Sequence, residues 1–443
     1  MGRKIQVCAL SLIGAFGYAA TASAQVAAET PNTTAPAAPT VPPETKTEPD
    51  VTAAAAAPAA PPIAYEPTPV PVAPPPDAPP TTGFESLKIE SKNGSASLKV
   101  GLLLQPQFET IGSDSAANEG SSNNLFLRRT RLLIGGTLFK NIEYFFETDS
   151  PNLFKGDAST GAKGGIGMNV QDAFMTWKAY EDIVKFDVGY MLTPGAHNAL
   201  QGAGTLLGLD YFSNSFNHSG VFNTGTLPVA GRDAGVEVRG LVLDNHIEYR
   251  AGLFQGLRGA AVAGVPPATG QVASQNMFRF AGRLQINLLD AETGFFYAGT
   301  YLGKKKVASI GAALDMQSDY VHWAVDGFLD MPVGPGGLTA QVNFSKWNGG
   351  GFTNPALANQ TAIMAEAGYR FDAFPIAPIA KFEQQNIANS DAANTRIGGG
   401  VAWFPYAHNV NLKAFFTNIN AKPGAGDSHS YNQFQLQGQL YFY

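Results

Sequence analysis

The sequence has little charge and only one cysteine. Asp, Glu, Lys and Arg make up 14% of its 443 residues, well below the roughly 25% of ordinary soluble domains. The net charge of −6 gives no reason to expect a nucleic-acid partner, because such partners favour a basic surface. The one cysteine, Cys8, lies near the N-terminus. A disulfide framework and a thiolate metal site are therefore excluded from the rest of the chain.

Long apolar runs and catalytic motifs are also missing. Beyond the N-terminal segment, no run of roughly 18 apolar residues could form a membrane-spanning helix. The chain has neither a GxSxG nor an HExxH motif, which many hydrolases require. The histidines are scattered without metal-ligand spacing: His197, His218, His246, His322, His408 and His429. We therefore expect no enzymatic activity, no metal and no cofactor.

Residues 1–24 have the pattern of a secretory signal peptide. Arg3 and Lys4 precede a long apolar stretch, and Ala22-Ser23-Ala24 offers a small-residue cleavage site. This pattern predicts export from the cytoplasm and removal of Cys8 with the peptide.

Residues 25–83 have a different composition. They hold more than half of the 30 prolines, together with much Ala and Thr, and such a composition keeps a chain extended and solvated. We interpret them as a Pro/Ala-rich periplasmic linker, which is either a semi-rigid spacer or a disordered tail. Residues 84–443 are then the folded domain.

The folded domain alternates apolar and polar residues. From Tyr431 to Tyr443, four glutamines alternate with Phe, Leu and Gly, and a period of two places them on opposite faces of a strand. Similar segments recur back to about Ser97. Alternating strands of about ten residues, joined by turns, predict an all-β, transmembrane antiparallel β-barrel. Aromatics near strand ends, among them Trp177, Trp403, Phe404 and Tyr441, fit interfacial girdles. A soluble β-protein is the alternative.

The connections between predicted strands are of two kinds. Short turns such as 139–141 and 372–375 contrast with long Gly/Asn/Ser-rich loops, as outer-membrane barrels require on opposite rims. A simple count gives an odd number of strands, which conflicts with both ends of the barrel lying on one rim. If Leu289–Lys305 is a periplasmic excursion rather than a strand, about 16 strands remain. An 18-strand barrel is the alternative.

About 16 strands leave a water-filled lumen, and the alternation assigns charged residues to its wall. The pore-lining candidates are Arg129, Arg131, Arg239, Arg250, Arg279, Arg283, Arg370, Lys381, Arg396, Lys413, Glu237, Glu248 and Glu383. Pairs two residues apart, such as Glu237 with Arg239, can form salt bridges that brace the wall. Their functional alternative is a transverse field that selects ions by sign.

The longest connection, Thr193–Gly231, is too apolar for a loop in water. Its apolar residues include Leu207, Tyr211, Phe212 and Phe216. We expect this third long loop to fold inward as a constriction, to which Arg232 and Asp233, directly after it, also contribute. The alternative is an external loop that closes over the barrel mouth.

Three segments resemble motifs of one family. Leu127–Leu132 (LRRTRL) is similar to the RRxRL motif of the phosphate-selective porin O/P family, Gly231–Val236 (GRDAGV) to its GRDxGV motif, and Val170–Phe174 to its strand before the next hairpin. The resemblance implies a homotrimeric outer-membrane channel with an inward-folded third loop that passes small anions such as phosphate. Thr193–Ala230 contains no Arg or Lys, unlike the arginine-rich loop of phosphate-selective members, so a general or weakly selective channel is favoured.

The sequence therefore predicts a bacterial outer-membrane porin for passive diffusion of small hydrophilic solutes and ions. Its partners would be outer-membrane lipid, the solutes, and other copies of the chain. A structural tether, in which the Pro-rich arm contacts the cell wall, is a second hypothesis. A barrel enzyme is a third.

Overall fold

The computed structural model describes residues 87–112, 121–156, 162–163, 167–213, 231–256, 278–349, 358–424 and 426–443. The predicted signal peptide and linker, and Phe216 of the third loop, lie outside these ranges. No helix within them is long and apolar enough to cross a membrane.

The fold is a closed antiparallel β-barrel. Its strands are β1 Leu87–Glu90, β2 Ala96–Gly112, β3 Ser121–Leu138, β4 Ile142–Asp149, β5 Asn169–Tyr180, β6 Val184–Leu192, β7 Arg232–Val242, β8 Ile247–Phe254, β9 Arg279–Asn287, β10 Val307–Gln317, β11 Tyr320–Val333, β12 Gly336–Asn348, β13 Gln360–Phe371, β14 Ile376–Ile387, β15 Ala393–Tyr406, β16 Val410–Lys422 and β17 His429–Phe442.

Sixteen strands, β2 to β17, form the barrel. Each pairs with its neighbours in the chain, and β17 closes the ring on β2 through pairs such as Leu436 with Phe108. Closure pairs each of these sixteen strands on both sides, which is the condition for a sheet in hydrocarbon. The prediction of 16 strands is confirmed, and the alternative of 18 is wrong. No strand lies between Asn287 and Val307, as expected for the excursion.

The extra strand, β1, forms a hairpin with β2 that the sequence did not predict. Leu87 pairs with Val100 and Glu90 with Ser97, whereas β17 pairs with β2 from Leu102 onward. The short strand therefore continues the sheet where β17 ends.

The two rims of the barrel differ as predicted. We call the rim at the start of β2 and the end of β17 the terminal rim, and the opposite one the loop rim. Connections at the terminal rim are short, as at 139–141, 334–335 and 407–409, with the exception of 288–306. The connection 193–231 lies on the loop rim.

Adjacent residues of a strand lie on opposite faces of the wall. On β7 the side chain of Val236 is 48% exposed on the outside, whereas Glu237 is fully buried on the inside. On β12, Val342 is 48% exposed and Asn343 is 2% exposed. The apolar rows therefore face outward and the polar rows face the interior, as a barrel in lipid requires.

The aromatic residues near strand ends divide between the two faces. Trp177 and Trp403 are exposed on the outer wall, as a girdle requires. The expectation is wrong for Phe404 and Tyr441, because strand parity turns them inward: Phe404 is buried, and the ring of Tyr441 lies against Gly204 of the third loop.

Two segments fill much of the interior. The described part of the third loop, residues 193–213, enters from the loop rim and includes the short 3-10 turns His197–Leu200 and Ala203–Thr205. Residues 288–306, which we call the insert, enter from the terminal rim. The predicted excursion therefore lies inside the barrel rather than in the periplasm, and Tyr297 at its centre is 1% exposed.

Candidate functional site

A cavity of about 520 Å³ lies inside the barrel towards the loop rim. Its floor is formed by residues 209–213 of the third loop. Seven basic residues line it: Arg128, Arg129, Arg131, Lys155, Arg232, Lys381 and Arg396. Four acidic residues line it as well: Glu109, Asp149, Asp210 and Glu383. The cavity, which we call the vestibule, therefore has an excess of positive charge.

A β-bulge turns two consecutive arginines towards the vestibule. The register between β2 and β3 shifts between Gln105 and Pro106, so that Gln105 pairs with Arg129 and Pro106 with Leu127. Arg128 has no partner across the strands and joins Arg129 on the inner side, where both line the cavity. Such bulges re-aim side chains at functional positions, and proline inside a strand marks them.

Both arginines bind Asp210, near the end of the described part of the third loop. Nη2 of Arg128 donates to Oδ2 of Asp210 at 2.6 Å, and Nη2 of Arg129 donates to Oδ1 at 2.5 Å. Burial would raise the pKa of Asp210, but the two guanidiniums outweigh it and hold that pKa well below its usual range. The carboxylate thus fixes the loop to β3 while it neutralises part of the basic lining.

Arg131, two residues further along β3, belongs to a buried ion-pair group. Its Nη2 lies 3.1 Å from Oδ2 of Asp149, and its Nη1 lies 3.3 Å from Oε1 of Glu147 on the adjacent β4. Arg129 and Arg131 therefore both line the vestibule, and each is held in an ion pair.

Lys381, Glu383 and Arg396 line the vestibule from β14 and β15. Lys381 and Glu383 form the predicted salt bridge of 2.9 Å on β14. Arg396, which pairs with Glu383 across β14 and β15, has no ion pair within the described ranges and is only partly buried. A solute in the vestibule would therefore meet the guanidinium of Arg396 without a carboxylate already bonded to this side chain.

Arg279 and Arg283 on β9 are held in buried ion pairs. Arg279 donates to both oxygens of Asp315 at 2.7 and 2.6 Å, and its Nη1 lies 3.3 Å from Oδ2 of Asp233. Arg283 donates to both oxygens of Asp326 at 2.6 and 2.8 Å. Asp233 is therefore part of the wall rather than of the loop.

Arg239 and Arg250 lie nearer the terminal rim and face the insert. Arg250 forms the predicted bond with Glu248 at 2.8 Å. The predicted pair of Glu237 with Arg239 is wrong, since Arg239 binds Asp187 on β6 at 2.7 Å and Glu237 lies 4.0 Å from Arg250. Asp187 lies opposite Glu237 and diagonal to Arg239 across β6 and β7, and a long side chain reaches such a diagonal neighbour.

Several predicted lining cations instead bind backbone carbonyls of the interior segments. Nζ of Lys413 donates to the carbonyl oxygens of Leu206 and Gly208 at 2.6 and 2.8 Å. Nε of Arg370 donates to the carbonyl oxygen of Leu302 in the insert at 3.1 Å. These side chains fasten the interior segments to the wall.

The described apolar residues of the third loop pack against the inner wall. Leu207 belongs to a buried cluster with Leu302 of the insert and Ile379 of β14. Phe212 packs with Tyr320 and other residues of β11 to β13. The hydroxyl of Tyr211 donates to the carbonyl oxygen of Gln201 at 2.8 Å within the loop.

Arg232 stands at the start of β7 and binds Asp172 of β5 at 3.1 Å. The carboxylate of Asp172 compensates the buried charge of Arg232, which also lines the vestibule. The two residues belong to the GRDAGV and VQDAF motifs, so the structure brings these motifs together.

Sequence reasoning missed Arg128, Lys155 and Asp210. Strict alternation assigns Arg128 to the outer face, and only Pro106 on the partner strand hints at the bulge. Lys155 lies in a connection outside the strands, and it reaches Glu109 at 2.7 Å. Within the part of the chain that the structure describes, no three His, Cys, Asp or Glu side chains are arranged to hold a metal ion.

Comparison with known proteins supports the fold. No protein-family model and no curated protein matches the chain. The anion-selective porin from Comamonas acidovorans superposes with a TM-score of 0.52 at 11% identity over 78% of this chain and 100% of that chain. The outer membrane channel DcaP of Acinetobacter baumannii superposes with a TM-score of 0.50 at 14% identity, over 81% of this chain and 100% of that chain. Salmonella typhi OmpF in complex with daunomycin superposes with a TM-score of 0.50 at 12% identity, over 80% of this chain and 100% of that chain. At such identities the likeness concerns the fold alone.

Proposed function

We propose that the protein is a bacterial outer-membrane channel for passive diffusion of small hydrophilic solutes, with a preference for anions. The observation that carries the proposal is the division of the two faces of a closed 16-stranded barrel. Valines such as Val236 and Val342 are half exposed outside, while the adjacent Glu237 and Asn343 are buried inside. A soluble barrel would bury its apolar rows instead.

The third loop is the proposed constriction. It crosses the interior between the wall strands, where Lys381 donates to the carbonyl oxygens of Asp210 and Tyr211, both at 2.8 Å. Solutes would therefore have to pass between this loop and the wall. A narrow passage of this kind selects small solutes by size and by charge.

The preference for anions rests on the vestibule. Its seven basic residues outnumber its four acidic ones, although Asp210 and Glu383 neutralise part of the excess. A cleft lined by one sign of charge concentrates ions of the opposite sign. The absence of Arg and Lys from residues 193–230 favours weak anion preference over strict phosphate specificity. Membership of the phosphate-selective porin O/P family stays a prediction.

Assembly and targeting are part of the proposal. Residues 1–24 would direct export to the envelope, residues 25–83 would lie in the periplasm, and outer-membrane lipid would surround the exposed apolar rows. Homotrimer formation and contact of the Pro-rich arm with the cell wall stay predictions.

We expect the purified protein to produce stepwise conductance in planar lipid bilayers without ATP. In a KCl gradient, the reversal potential should lie on the chloride side of zero, because the vestibule attracts anions. Detergent buffer without protein is the control. Complete absence of conductance steps would contradict the channel, whereas a reversal potential on the potassium side would contradict only the proposed preference.

A further inference from the structure

The insert, residues 288–306, is an interior loop with a closed neck at the terminal rim. The amide of Leu288 donates to the carbonyl oxygen of Ala308, and the amide of Asp290 donates to that of Lys306, both at 2.8 Å. The two ends therefore lie side by side, and residues 291–305 project from them into the barrel as one unit. Such a neck can act as a hinge for the whole loop.

The insert meets the third loop inside the barrel. The amide of Tyr297 donates to the carbonyl oxygen of Leu200 at 2.9 Å, and the carbonyl oxygen of Tyr297 accepts from the amide of Gly202 at 2.8 Å. Nε2 of His197 lies 2.7 Å from Oε2 of Glu292. A segment from the terminal rim and a segment from the loop rim thus form one continuous structure inside the lumen.

The insert also reaches distant parts of the wall. Arg250 on β8 donates to the carbonyl oxygen of Phe295 at 2.9 Å. The hydroxyl of Thr300 lies 2.8 Å from that of Thr339 on β12, and Nε2 of His408, in the turn before β16, bonds to the carbonyl oxygen of Thr300 at 3.0 Å. Each of β8, β12 and β16 lies four strands from the next in the order of the barrel, so the insert spans the lumen from one side of the wall to the other.

We propose that the insert is a displaceable plug, which closes the channel at the terminal rim and must swing out on its neck for solutes to pass. This proposal rests on the proposed channel function. A diffusion pore needs only the third loop to narrow it. A second segment that crosses the lumen blocks the path that the first leaves open.

The insert is held by separate hydrogen bonds and side-chain packing rather than by strand pairing with the wall, which permits displacement as a unit. The insert contains no strand, and many of its bonds to the wall run from side chains, such as those of Arg250, Arg370 and His408, to single carbonyl oxygens. Water can replace such bonds once they are exposed. The bonds from Thr300, Tyr301 and Gly303 to the buried carboxylate of Asp330 on β11, and the backbone bonds to the third loop, add to the cost of opening.

Gly294, Gly299 and Gly303 interrupt the segment, and Gly303 has a φ of +72°, a backbone conformation that glycine adopts without strain. Phe295 and Tyr297 are its largest buried side chains, and their exposure adds to the cost of opening.

A disulfide that fastens the insert to the wall tests the plug. We expect Thr300→Cys/Thr339→Cys to form one, because the two hydroxyl oxygens are 2.8 Å apart. Under oxidising conditions the conductance of this variant should fall at least tenfold relative to its reduced form, and a reductant should restore it. The matched control is Ser97→Cys/Thr137→Cys, whose hydroxyl oxygens lie 2.9 Å apart on β2 and β3 and do not touch the insert. Its conductance should not depend on oxidation.

A second variant keeps the test decisive if the disulfide does not form. Replacement of residues 291–305 by Gly-Gly joins the neck across its existing hydrogen bonds. It should give a conductance several times that of the wild type, with fewer closed intervals. Equal conductance of the oxidised and reduced forms, or a deletion variant that conducts like the wild type, would overturn the plug and leave the channel intact. If no variant conducts, including the deletion, the channel function fails and the plug fails with it.

Discussion

Substitution of Arg279 by Met should lower the free energy of unfolding by about 3–5 kcal/mol, as expected when one partner of a buried ion pair is removed. Arg279 is fully buried and donates to both oxygens of Asp315. It also lies 3.3 Å from Asp233. Methionine fills a similar volume without charge, so both carboxylates would lose their cation inside the barrel. The midpoint of urea unfolding in lipid vesicles, followed by tryptophan fluorescence, measures the loss.

Two further variants separate charge compensation from packing. Arg396→Met removes the same side chain from a partly buried position that has no ion pair in the described parts of the chain, so stability should change by less than about 0.5 kcal/mol. Arg279→Met combined with Asp315→Leu should recover part of the loss, since one of the two unpaired carboxylates is gone. An unfolding midpoint of Arg279→Met equal to that of the wild type would show that this ion pair does not stabilise the barrel.

Substitution of Arg396 by Glu should move the selectivity of the channel towards cations. The change reverses the charge of a vestibule cation that has no ion pair in the part of the chain that the structure describes, and it places a second carboxylate opposite Glu383, its partner on β14. A unit charge about 4 Å from an ion is worth about 1 kcal/mol in water. The ratio of chloride to potassium permeability should therefore fall several-fold. The shift should be largest at low salt, where screening is weakest.

The control for Arg396→Glu is Lys92→Glu. Lys92 lies in the exposed turn between β1 and β2, so the variant changes the net charge equally but away from the vestibule. Its reversal potential should match that of the wild type. If both variants shift the reversal potential alike, or neither does, Arg396 is not on the conduction path.

Much of the barrel could be predicted because the face of a strand residue depends only on parity. The neighbours Val342 and Asn343 illustrate this, and the terminal Tyr443 lies with the glutamines, as its parity requires. The number of strands followed from a further constraint, since both ends of the barrel had to lie on one rim. That constraint identified 289–305 as a break in the sheet.

The interior could not be predicted in the same way. The bulge adds one residue to β3, so Arg128 lines the vestibule although strict alternation assigns it to the outer face. The direction taken by the insert depends on contacts with Leu200, Arg250 and Thr339, which are remote in sequence. Partners of wall charges are likewise set by neighbouring strands, as Arg239 shows by binding Asp187 instead of Glu237.

The apolar rows of the barrel face lipid while the polar rows face a lumen, and the proposed channel depends on this division. Nitroxide labels on Val342→Cys and Asn343→Cys, adjacent on β12, test it most directly in reconstituted bilayers. The label at 342 should be accessible to lipid-soluble oxygen and protected from a water-soluble nickel chelate. The label at 343 should be less accessible to oxygen than the label at 342. Equal accessibility at both positions, or greater oxygen accessibility at 343, would contradict the account.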